Sequence, residues 1–282
     1  MIMPEYTVSL SIWIVPIIAM TVFFIKKRLL SPEKSFALIV TVVALAATGI
    51  ALDLLFAEFF FLFPNARAVL GIFIKGIPIE EFVFYVTGFW FIIFVYVFCD
   101  EYFLKKYNVP DKTYACFRAR LKRILYVHLK SAWYALFMMA AAFAAKRLLN
   151  PTGALLPGYF MFLIITAYLP SFLFYRVTKS FINWRAFIFS MLVTVLISII
   201  WEVTLALPRG YWDYRHGAML GIFIGVWHDL PLEAVTVWIF CTLAILMYEY
   251  IKICYFTPAP SVPGHKLLLK VGREWRQKPV TR

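Results

Sequence analysis

Gly76-Ile77-Pro78-Ile79-Glu80-Glu81-Phe82 sets two adjacent carboxylates just past a proline, at the mouth of a long apolar run. A charged side chain at the centre of a bilayer costs about 2.5–3.5 kcal/mol or more, so acids in such a place are read first as functional. A weaker copy, Leu230-Pro231-Leu232-Glu233-Ala234, opens another apolar run near the far end of the chain. The runs around these two segments decide the fold. Of the 282 residues, 63% are hydrophobic, and the mean hydropathy is +0.82. A soluble domain is about 45–50% apolar, and a soluble fold would have no way to bury the excess. The expectation is an all-α membrane protein.

Seven apolar runs follow one another: about 8–25, 36–63, 79–98, 125–145, 159–175, 186–207 and 232–253. Each is close to the ~20 residues that a membrane helix needs. Ser31-Pro32-Glu33 reads as a helix start, with Ser31 as the cap and Pro32 at the first position. The formal charge of +13 comes from Lys and Arg gathered between the runs. Topology explains them better than a nucleic-acid partner does. With seven spans, Lys26 to Lys34, the 100–123 stretch, Arg176 to Arg185 and the C-terminal tail fall on one side, and the sparser Arg67-Lys75, Lys146-Arg147 and Arg209-Arg215 on the other. The more basic side is expected to be cytoplasmic in the cell (inner) membrane, with the N-terminus outside. Six spans would put the two termini on the same side. The first run lacks a basic n-region and a cleavage site, so no cleavable signal is expected. The tail from 256 reads as a basic, flexible extension lying on anionic lipid or simply solvated.

An internal repeat emerges from the two proline-glutamate segments. Gly71-Ile72-Phe73-Ile74 recurs as Gly221-Ile222-Phe223-Ile224. Pro78 lies seven residues after its glycine and Pro231 ten after; Asp53 lies eighteen before Gly71 and Glu202 nineteen before Gly221. Two three-helix units follow, residues 5–100 and 157–255, joined by a basic loop and linker helix over 101–156. An odd linker keeps the units parallel. Asp53, Glu58, Glu80, Glu81, Glu202 and Glu233 then converge on the outer half of the membrane. The bland alternative pairs them one by one with Arg67, Lys75, Arg209 or Arg215 at the interface.

Two close carboxylates in a low dielectric cannot both ionise easily, and one is held protonated. That supplies a donor for an unactivated alkene and a base to take a proton back. Phe82, Phe84, Tyr85, Phe89 and Trp90 follow, and their ring faces suit a carbocation; packing is the simpler reading for any one ring. The four Cys and four His form no metal-ligand motif, and no nucleotide-binding glycine loop is present.

Pro78-x-Glu80-Glu81 and Pro231-x-Glu233, each opening a span in one of two repeats, resemble the small membrane lycopene cyclase domain of carotenoid biosynthesis, here as a fused tandem over about 5–255. Ala234 stands where that pattern usually has a second Glu. The resemblance implies a redox-neutral isomerase without cofactor or metal. An acid protonates the terminal double bond of a linear polyene end, the cation closes to a β-type ring, and a base removes a proton. Glu80 or Glu81 would be the acid, Glu233 a partner or base, and Asp53 and Glu202 their tuning neighbours. Pro78, Phe82, Tyr85, Pro231 and Trp238 are the candidate substrate contacts. The expected partners are a hydrophobic polyene, the lipid bilayer, and either a second copy or other carotenoid enzymes. Three other readings stay open: a carotenoid hydratase that lets water capture the cation, a proton-coupled transporter, and a rhodopsin-like protein. The last lacks a buried Lys in the seventh run, where Lys252 stands only at the end.

Overall fold

The computed structural model describes residues 4–108, 129–149 and 156–256. Seven long helices run through them: α1 (Glu5–Lys27), α2 (Pro32–Phe60), α3 (Ile79–Phe103), α4 (Leu129–Leu149), α5 (Gly158–Thr178), α6 (Trp184–Arg209) and α7 (Leu232–Ile253). All except α4 are long and apolar enough to cross a membrane. Their outward faces stay apolar, as at Val43 and Leu192, which are 61% and 65% exposed. This is the arrangement of an all-α integral membrane protein, where lipid rather than water meets the outer surface. Ser31 caps α2, accepting the Lys34 amide at 3.4 Å, and Pro32 follows at the first helical position. The basic stretch expected over 100–123 lies outside the described residues from 109 on, and the basic tail does so from 257 on.

The connections before α3 and α7 are matching β-hairpins. β1 (Phe61–Leu62) leaves α2; β2 (Phe73–Ile74) and β3 (Ile77–Pro78) pair Phe73 with Pro78 and Ile74 with Ile77. In the second unit β4 (Asp213–Tyr214) precedes β5 (Phe223–Ile224) and β6 (Leu230–Pro231), with Phe223 opposite Pro231 and Ile224 opposite Leu230. The first hairpin turns through Lys75 and Gly76, both at positive φ (52° and 79°), which suits a tight two-residue connection. The second turns through 225–229 and absorbs the three extra residues of the longer Gly-to-Pro spacing. Register is then restored. The Ile79 amide bonds the Ile72 carbonyl and the Leu232 amide bonds the Ile222 carbonyl, both at 3.0 Å. Gly71 and Gly221, at φ 80° and 104°, open the two hairpins in a conformation that L side chains avoid.

β1 pairs antiparallel with β4, Phe61 opposite Tyr214. The two hairpin connections therefore lie at one end of the bundle, and the repeat is parallel. A parallel repeat needs the chain to cross back once between the units. Among the described residues six helices rather than the expected seven are apolar enough to span, and α4 is not one of them. It nevertheless stands between the units and packs on α5. Its Lys146 donates to the carbonyls of Gly217 (3.1 Å) and Met219 (2.5 Å) at the hairpin end. Its 21 residues reach back about 31 Å, and Tyr134 lies 6.4 Å from Phe172 of α5. α3 and α7, the helices that open on the two proline-glutamate segments, form the centre. α2 packs on both of them, and α6 packs on both as well. The seam between the units is thereby built from both.

The opposite end of the bundle is fastened by buried charge. Lys34 lies 2.6 Å from Glu101. Lys252, expected at the open end of the seventh run, is instead buried in α7, 2.7 Å from Glu249 and 4.0 Å from Asp100. Tyr96 donates to Glu249 at 3.1 Å. These groups tie the ends of α2, α3 and α7 together.

Candidate active site

Successive residues of a helix point about 100° apart, and this separates Glu80 from Glu81. Glu80 turns toward its own hairpin. Its Oε1 accepts the Leu70 amide at 2.7 Å and the Thr7 hydroxyl at 2.8 Å. Glu233 does the same in the second unit, where Oε1 accepts the Leu220 amide at 2.5 Å. The other oxygens, Glu80 Oε2 and Glu233 Oε2, are sealed in protein and have no hydrogen-bond partner among the described residues. Both acids brace turns.

Glu81 turns the other way, into a cavity of about 170 Å³ at the seam of the two units. Asp53 of α2 and Glu202 of α6, the acids matched by the repeat, line the same cavity. Each of the three carboxyls receives a phenol. Tyr6 donates to Glu81 at 2.8 Å, Tyr85 donates to Asp53 at 2.9 Å, and Tyr214 donates to Glu202. Tyr214 lies beyond the end of α6. Its burial, with the Glu202 carboxylate beside it, holds its phenol well above the ordinary value, so it stays a donor. Glu202 opens a π-helical turn, Glu202–Ala206, a local rewinding of the kind often found at functional positions.

The cavity walls are aromatic: Phe84, Trp201, Trp212 and Trp238 all line it. Phe84 and Trp201 lie 5.2 Å apart, and Trp201 and Trp212 5.1 Å. Tyr6 stacks on Tyr211 at 4.8 Å and ties the first turn of α1 to the segment that follows α6. Gly49 of α2 lets Tyr85 lie close; a Cβ there would stand 3.0 Å from the Tyr85 ring. Thr48 and Phe56 line the cavity and are also exposed on the outside of the bundle, so it opens sideways. Phe162 of α5 flanks that opening, 5.7 Å from Phe56.

Of the sequence candidates, Glu81, Asp53, Glu202, Tyr85 and Trp238 line the cavity; Glu80, Glu233, Pro78, Pro231 and Phe82 do not. The two prolines sit in hairpin strands, and Phe82 packs with Ala57 and Ile77. Glu58 is exposed on α2. Among the described residues none of these six acids forms an ion pair with Arg67, Lys75, Arg209 or Arg215. Arg209 is held instead by Glu5, at 2.5 Å. Among the described residues no three His, Cys, Asp or Glu side chains are gathered as metal ligands would be.

The phenols Tyr6, Tyr159 and Tyr214 escaped the sequence reading. One signal was there: Pro4-Glu5-Tyr6 and Pro157-Gly158-Tyr159 stand 153 residues apart, the same offset as Glu80 and Glu233. The chain matches no family model, no curated protein and no solved structure.

Proposed function

We propose that this chain is a membrane enzyme that remodels the end of a linear polyene by acid-base chemistry through a carbocation, in the manner of a lycopene cyclase. The observation that carries this reading is the convergence of Glu81, Asp53 and Glu202 in one aromatic-walled cavity that opens sideways. Three carboxyls in an apolar space disfavour three charges, and a retained proton is what an alkene requires. Glu81 is the proposed acid, oriented by Tyr6. Protonation of the terminal double bond leaves a cation, which the faces of Trp201, Trp212 and Trp238 suit. Attack by the neighbouring double bond closes the ring, and Asp53 or Glu202 takes the proton that leaves. The sum is an isomerisation with no redox change. The side opening between α2 and α5 suits a substrate dissolved in the bilayer. The basic loops favour a cytoplasmic C-terminus and an outer N-terminus in the cell membrane.

Expression in a lycopene-accumulating host tests this. Cyclic pigment of unchanged mass is expected from the wild type, and none from Glu81→Gln. Lycopene left untouched by the wild type, or full activity in Glu81→Gln, overturns it. A second outcome, hydration of the same cation, is favoured by two free hydroxyls in the cavity.

A further inference from the structure

Most hydroxyls around the cavity are already engaged. Tyr6, Tyr85 and Tyr214 each donate to a carboxyl. Thr48 and Thr166 return to their own helices, donating to the carbonyls of Ala44 (2.7 Å) and Phe162 (2.8 Å). Tyr159 and Ser198 differ. Both line the cavity, they are only 5% and 1% exposed, and neither hydroxyl has a hydrogen-bond partner among the described residues. Ser198 lies one helical turn before Glu202 on α6. Tyr159 is the second unit's counterpart of Tyr6, and Ala234 stands where the acceptor Glu81 stands in the first. The loss of that carboxylate leaves Tyr159 without an acceptor from its own unit.

A buried hydroxyl left unpaired is costly, and a purely hydrocarbon end group would leave two of them so. We propose that Ser198 and Tyr159 together receive a hydroxyl oxygen, carried either by the ligand's own end or by a water that captures the cation. This rests on the cavity being the reaction site proposed above. In the second case the alkene takes a proton from Glu81 at one carbon and the water oxygen at the other. The oxonium proton then returns to a carboxylate, and the net change is one water added.

The full chain in detergent micelles, with quenching of its tryptophan fluorescence as readout, separates the sources. The probes are retinol and its deoxy analogue axerophtene, which differ by one hydroxyl. A ligand hydroxyl predicts about tenfold tighter binding of retinol in the wild type. Tyr159→Phe and Ser198→Ala should each erase most of that preference and leave axerophtene binding unchanged. A bound water predicts no preference, but then pigment made from lycopene in ¹⁸O-water carries the label, and both variants lose it. Absence of both the preference and the label overturns the proposal. Because binding is read without turnover, a chain that leaves lycopene unchanged but still prefers retinol sinks the cyclase reading alone, whereas no conversion and no preference together sink both.

Discussion

Glu80 and Glu233 hold the same place in the two halves of the molecule. Each lends Oε1 to the amide of a leucine just before its hairpin, Leu70 at 2.7 Å and Leu220 at 2.5 Å. Their work is to hold turns. Glu233→Ala leaves a buried amide without an acceptor and should destabilise by about 1–3 kcal/mol. Glu233→Gln keeps an acceptor and should melt close to wild type. Thermal unfolding in detergent reads both; equal melting of the two variants would remove the bracing role.

Glu81 should behave in the opposite way. Glu81→Gln is expected to lower turnover by about 10²–10⁴-fold, the usual worth of a general acid, with no shift in melting. Tyr6→Phe removes only the hydroxyl that orients Glu81. About a tenfold fall in turnover is expected from losing one such bond, read as pigment formed per unit of folded protein. Unchanged turnover would show that Glu81 needs no phenol to orient it.

Gly49 matters for the space that it leaves. In Gly49→Ala the new Cβ meets the Tyr85 ring at 3.0 Å, so the ring must give by a few tenths of an ångström and strain its 2.9 Å bond to Asp53. Overpacking of this kind costs about 1–3 kcal/mol. Melting and turnover should fall together, and adding Tyr85→Leu to Gly49→Ala should recover melting but not turnover.

The buried ions at the far end should matter more than the visible surface pair. Lys252→Met leaves Glu249 and Asp100 without that cation in a buried site, and breaking such a pair costs about 3–5 kcal/mol. Glu5→Gln at the exposed Glu5–Arg209 pair should leave melting where it was. Comparison of the two melting curves checks this.

Membrane physics makes long apolar helices readable from one sequence, because every backbone group in lipid must be satisfied within its own segment. The helices, the Ser31 cap and the parallel duplication were legible for that reason. α4 was legible as a run, although it is not among the helices apolar enough to span, and its place is fixed by Lys146 at the hairpin end and by its packing on α5. The division of labour inside Glu80-Glu81 was not. The sequence by itself determined that two carboxylates open a membrane helix and that the pattern recurs with one of them replaced. Tertiary structure alone decided which acid meets the cavity. One residue of helix rotation sends Glu80 to the Leu70 amide and Glu81 to a phenol 75 residues away. It alone brought Asp53 and Glu202 to the same cavity, since each unit's middle helix packs on the other unit's Pro-x-Glu helix. No local spacing encodes such contacts.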